Sequence, residues 1–166
     1  MSDNSANQSS RMHLLQLLML ALVSWTASGC RTIGPLPAVD INQPGWTVQQ
    51  GQAVWKSKSN APEIAGELVL ATKPDGSSFL QFTKTPLPFV VAQTTSNSWQ
   101  IQFVPENRTF SAHGKPPARL LWLHVTQCLL GHCDQKRFEF STLKSGNRFL
   151  RDRKTGESIE FYLVGP

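Results

Sequence analysis

Acidic residues, tyrosine, cysteine and long apolar runs are all scarce in this chain. Asp and Glu total 11 of 166 residues and lie scattered, so no carboxylate set for acid–base chemistry stands out. There is no glycine-rich phosphate loop, and no nucleophile stands with a base in a recognisable pattern. The chain is therefore not read as an enzyme, and no cofactor is implied. Its longest apolar run, Leu14 to Val23, is too short for a permanent spanning helix, which takes about 20 apolar residues. Cysteine occurs at positions 30, 128 and 133 alone.

What is present begins with that apolar run. Arg11 precedes it, Gln16 interrupts it, and Ser24-Trp25-Thr26-Ala27-Ser28-Gly29 leads to Cys30. A basic residue, a short apolar core and small residues before a cut describe a signal peptide over residues 1–29. Ala27-Ser28-Gly29-Cys30 resembles the lipobox of bacterial lipoproteins, in which Leu is commoner where Ala27 stands. That resemblance implies a lipid anchor on Cys30, which becomes the new N-terminus and holds the chain to a membrane. An ordinary secretory signal with a chance cysteine is the competing reading. Arg31 follows the anchor, and the sorting rule implied by the resemblance sends a chain without Asp there to the outer membrane, facing the periplasm.

From Cys30 to residue 50 the sequence passes Gly34-Pro35-Leu36-Pro37 and Pro44-Gly45 with little periodicity, which reads as a tether. Residues 51–166 suffice for one domain with its own core. The formal charge is +5, and basic residues gather late, at Lys136, Arg137, Lys144, Arg148, Arg151, Arg153 and Lys154. For an exported, anchored chain, anionic headgroups or glycans are nearer neighbours than nucleic acid, which is not expected as a partner. A solvated surface with no partner explains the same charge.

The domain reads as mainly β. Runs rich in Val, Ile, Phe and Trp predict strands at 53–58, 64–71, 78–84, 89–94, 99–104 and 109–113. Lys73-Pro74-Asp75-Gly76, Ser96-Asn97-Ser98 and Pro105-Glu106-Asn107 separate them with turn chemistry. Trp99, Ile101 and Phe103 alternate with Gln100 and Gln102, as in an antiparallel strand with one buried face. Pro116-Pro117 then breaks the pattern. Leucine-rich 118–130 predicts a helix stopped at Gly131, and strands at 137–142, 148–152 and 158–164 close the chain. A long antiparallel sheet must hide its apolar face, so the expected architecture is a curled sheet, a half-open β-barrel covered by the helix.

A lipobox, a tether, hairpins in series and a proline-started helix together resemble the LolA/LolB-like lipoprotein carriers, over roughly Val54 to Leu163. The resemblance implies a half-open barrel whose cavity binds acyl chains or acylated proteins. In the anchored members a loop carrying Pro-Leu projects an exposed leucine between two strands. Here Phe82-Thr83-Lys84-Thr85-Pro86-Leu87-Pro88-Phe89 stands at that place, with Leu87 between Pro86 and Pro88. Leu120, Leu121, Trp122, Leu123 and Leu130 resemble the family's lid and would face the cavity. The chain departs from the family in being short and in lacking a helix before the first strand. Leu87 packed on a neighbour as an ordinary turn residue is the alternative.

His124, Cys128 and His132 fall at i, i+4 and i+8, with Cys133 adjacent. Three arrangements fit that spacing: a Cys128–Cys133 disulfide, two buried free thiols, or a metal held by imidazole and thiolate. Ser141-x-x-Lys144 and Lys154-Thr155-Gly156 echo motifs of penicillin-recognising enzymes. The echo fails on mechanics, since Ser141 ends a strand instead of opening a helix and a single hairpin separates the two motifs. Two functions remain in view. One is a module binding acyl chains or lipoproteins, with a role in lipoprotein localisation. The other is a structural or assembly lipoprotein that docks an envelope protein partner. A large aliphatic cavity favours the first, and a filled barrel with a large exposed apolar patch favours the second.

Overall fold

Side chains that alternate between an apolar and a polar face can pair into one sheet, provided the apolar face is covered. The computed structural model describes residues 34–165, so the expected signal peptide and Cys30 lie outside the described residues. Nine strands form: β1 (Thr47–Lys56), β2 (Ile64–Thr72), β3 (Ser78–Lys84), β4 (Leu87–Thr94), β5 (Ser98–Phe103), β6 (Arg108–His113), β7 (Phe138–Thr142), β8 (Arg148–Asp152) and β9 (Ser158–Val164). They make one antiparallel sheet in the order β6-β5-β4-β3-β2-β1-β9-β8-β7, curled and not closed, with β6 and β7 at its edges. The first six strands are serial hairpins, and the last three add to the free side of β1.

Register carries the core from strand to strand. Leu68 faces Phe82 and Phe82 faces Val90; one layer on, Leu70 faces Leu80, Leu80 faces Ala92 and Ala92 faces Ile101. Across the β1–β9 pair, Ala53 meets Phe161 and Trp55 meets Ile159. All of these are buried. Full burial of each large aliphatic or aromatic side chain contributes roughly 1.5–3 kcal/mol, so the layers outweigh any single turn.

Two glycines let the sheet curl. At Gly66 a Cβ would strike the Thr83 carbonyl oxygen and stand 2.8 Å from the edge of the Phe82 ring, which lies over the glycine. At Gly51 a Cβ would strike the Tyr162 carbonyl oxygen. Strands bend sharply where a side chain is missing, and an aromatic ring fills the gap.

Between β6 and β7 the chain crosses from one edge of the sheet to the other. A 3-10 turn covers Leu121–His124, followed by helix α1 (Val125–Leu129). The helix expected over 118–130 is thus much shorter. Packing of Leu121, Trp122, Leu123 and His124 into the core holds the first half of the segment in a 3-10 turn, and Gly131 at φ +83° ends the helix.

The strand expected at 53–58 also begins earlier, at Thr47, because Gln49, Gln50 and Gln52 pair in the ladder without looking apolar. The tether expected over 30–50 is shortened in consequence. Residues ahead of β1 lie on the outer face of the sheet: the Leu36 amide donates to Gln100 Oε1 at 2.7 Å, and Gln93 Nε2 donates to the Pro37 carbonyl at 3.4 Å. Lys73 Nζ sits 4.7 Å above the Trp46 ring.

Gly66→Ala should lower stability by roughly 1–3 kcal/mol, the usual cost of forcing atoms into packed space. Gly34→Ala, with nothing within 4 Å of its added carbon, should leave the melting temperature unchanged. Thermal melts of the two variants side by side check the assignment.

Candidate functional site

The interior of the half-barrel is where an acyl-chain site was expected. It is filled. The 3-10 turn buries Leu121, Trp122, Leu123 and His124 together, and Trp122 lies between sheet and crossing segment. Its ring stacks on Phe82 at 5.1 Å and 27°, and meets Trp55 at 5.9 Å. Phe89 closes the cluster, 5.7 Å from Trp55 and 6.3 Å from Phe82. Leu68, Leu70, Leu80, Phe82, Ile101 and Trp122 each expose 2% or less, so these side chains are packed almost entirely against protein. The indole Nε1 of Trp122 is buried with no hydrogen-bond partner among the described residues.

The residues expected to form lid and cavity therefore divide. Leu121, Trp122 and Leu123 are core, and Leu120 is half-buried against it. Leu130 needs correction as a cavity residue: it is 59% exposed, because α1 ends before it and turns it outward. Cys128 and Cys133 form a disulfide. The metal alternative is overturned, since both sulfurs are consumed and no group of His, Cys, Asp and Glu among the described residues is placed to hold an ion. His124 packs instead on Phe138, with ring centroids 4.7 Å apart, and its Nε2 lies 3.3 Å from the Pro117 carbonyl.

Outside the barrel, the β3–β4 hairpin carries Leu87 at its tip. It is 67% exposed, the most exposed large apolar side chain among the described residues. Pro86 and Pro88 flank it, the Thr85–Pro86 peptide is cis, and the register shifts between Phe82 and Thr83, where the hairpin bulges. Two fixed φ angles hold the leucine out where a flexible loop could fold it in.

Beside the tip lies an open cleft of about 520 Å³. Lys84 and Thr85 bound it on the hairpin side and Asn147 on the β7–β8 side, with Ala53, Gly66 and Phe161 beneath. Glu160 and Glu67 line it too, and Asn147 Nδ2 donates to Glu160 Oε1 at 2.8 Å. The arrangement can bind a side chain or short segment by shape. It offers no nucleophile–base pair.

A polar latch holds the end of the barrel where β8 turns into β9. Asp152 is fully buried; its Oδ2 accepts from Arg137 at 2.6 Å and its Oδ1 accepts from the Lys154 amide at 2.8 Å. Glu157 accepts from Trp55 Nε1 at 2.9 Å. Burial raises the Glu157 carboxyl to a pKa of about 7 from 4.5; the Trp55 hydrogen bond opposes the shift and the Asp152 charge adds to it. This group went unnoticed in the sequence, where 102 positions separate it from Trp55.

No protein-family model matches the chain, and no curated protein is similar to it.

A carboxyl whose folded pKa exceeds its unfolded value favours the fold while it is protonated. That stability is complete below about pH 4.5 and is lost as pH rises through about 7. The domain should thus be less stable at about pH 8 than at about pH 5, by roughly 2–3 kcal/mol. Glu157→Gln, which keeps the acceptor for Trp55, should remove most of the difference. Denaturant unfolding at both pH values measures it.

Proposed function

We propose that this chain is a lipid-anchored envelope protein that docks a protein partner on the outside of its half-barrel, at the Leu87 tip and the adjoining cleft. The observation that carries this reading is the filled interior. With Trp122 stacked on Phe82 and the surrounding aliphatics sealed, an acyl chain has no wall to lie against. Leu87 supplies the apolar contact: it is exposed in the free protein, and covering it is worth roughly 1.5–3 kcal/mol. Its flanking prolines are already ordered, so little freedom is lost on binding. Cys30 places the domain at a membrane, and Arg31 directs it to the outer one, facing the periplasm.

The second reading, an acceptor of acylated cargo like the LolA/LolB-like carriers, draws support from Trp122 itself. Its buried N–H lacks an acceptor among the described residues, and such a group costs about 1–3 kcal/mol. Withdrawal of the crossing segment would relieve that cost and open the interior.

Leu87→Glu separates surface docking from ordinary packing. At an exposed tip the change should move stability by no more than about 0.5 kcal/mol. A photoreactive residue at Lys84 should crosslink to a protein in intact envelopes, and Leu87→Glu should abolish that adduct. A drop of several kcal/mol, or an adduct that survives Leu87→Glu, refutes the docking tip. Adducts with lipid in place of protein favour the acceptor reading.

A further inference from the structure

We infer that the outer face of the sheet carries an oxyanion site for a phosphomonoester, built on Lys56, Ser158, Arg151 and Ser59. The register of three strands creates it. Lys56 on β1 pairs with Ser158 on β9, and Ser158 pairs with Arg151 on β8. Residues directly opposite one another in adjacent strands project from the same face. The row thus sets a short hydroxyl side chain between two long cationic ones, whose backbones stand roughly 10 Å apart, two strand spacings. Between them lies a cleft of about 220 Å³, lined by Lys56, Ser59, Phe149, Arg151, Gly156 and Ser158.

Ser158 lies at the base of the cleft. It is only 9% exposed, and no group among the described residues bonds its hydroxyl. A hydroxyl so deeply placed ordinarily has a partner, and the cleft is its open side. Ser59 adds a second hydroxyl from the turn after β1. It lies directly over Gly156, at φ +74°, where an added Cβ would strike Ser59 Oγ. Arg151 Nη2 donates to that oxygen at 3.4 Å, the outer limit of a hydrogen bond, so most of the guanidinium is unused.

The cations are not neutralised inside the cleft. Arg151 takes part in none of the ion pairs among the described residues. Glu139, opposite it on β7, lines a different cleft beside Cys128 and Cys133. Glu160, opposite Phe149, is bonded to Asn147 at 2.8 Å. Lys56 Nζ meets Glu63 at 2.8 Å, but Glu63 is largely exposed and outside the cleft lining, and such surface pairs exchange at little cost. A carboxylate would present two oxygens in one plane. A phosphomonoester presents three around a tetrahedron and carries close to two negative charges at neutral pH, matching two cations and two hydroxyls. Phe149, on the same face as Arg151, gives the esterified group an apolar wall. Lipid-borne and soluble phosphomonoesters share this chemistry.

The test titrates inorganic phosphate into the full chain in detergent at constant ionic strength, followed by NMR. The Ser158 amide and the Arg151 side-chain N–H should shift together and saturate. Arg151→Ala should weaken binding about tenfold or more, and Ser158→Ala several-fold. Ser158→Ala should not lower the melting temperature, because its hydroxyl holds nothing in the fold. Arg148→Ala, on the same strand but the opposite face, should change nothing. Shifts that never saturate, a loss as large with Arg148→Ala, undiminished binding by Ser158→Ala, or acetate bound as tightly as phosphate overturns the site. Glycerol 3-phosphate and a short-chain phosphatidic acid below its micelle concentration then compete for it. Preference for the second assigns a lipid headgroup and preference for the first a soluble ester; failure of both to displace phosphate overturns the phosphomonoester assignment.

Discussion

An open sheet of nine strands has an apolar inner face and no second sheet to cover it, so something else must occupy the curve. Here it is the indole of Trp122, stacked on Phe82 and braced by Trp55 and Phe89. Most of the remaining design follows from that contact. Gly66 must lack a side chain because the Phe82 ring lies over it. The β6–β7 connection must cross the mouth with enough rigidity to deliver Trp122, which it does through a 3-10 turn, a short helix and a disulfide at the far end. Trp55, which braces Trp122, donates its own N–H to Glu157. Substituting so large a buried aromatic by alanine typically costs 3–5 kcal/mol, comparable to the whole margin of a small domain.

On the proposed docking reading, a filled interior moves recognition to the outside. Two exposed leucines, Leu87 and Leu130, lie toward opposite ends of β4, the first held by prolines and the second in the loop closed by the disulfide. Both are locked in water by local covalent constraints, which folding alone does not require. Rigid presentation at both ends lowers the entropy lost on contact.

Local chemistry made most of this legible in the sequence. Asp75 caps Ser77 and Gly76 takes φ +84°, so the turn read from Lys73-Pro74-Asp75-Gly76 is built from the residues that announced it. Alternation in Trp99–Phe103 located β5, and Pro86-Leu87-Pro88 marked the exposed tip. Long-range contacts were not legible. The polar start of β1 is a strand because both neighbours pair with it, and no periodicity in Gln49-Gln50-Gly51-Gln52 discloses that. The course of residues 36–37 depends on side chains of Gln93 and Gln100 more than 50 positions away. Leucine content exaggerated the helix, since Leu121 and Leu123 were drawn into a buried 3-10 turn by packing instead of by helical propensity.

The central claim is that Trp122 fills the space an acyl chain would need. Native mass spectrometry of the intact protein, released from the membrane in mild detergent, addresses it most directly. The account predicts a mass equal to the processed chain and its own N-terminal acyl groups, with no further lipid, and the same result after incubation with free fatty acid. For Trp122→Ala, which opens the interior, it predicts a bound acyl chain where the fold survives. A wild-type protein that carries one additional acyl chain or acylated peptide per molecule would contradict it.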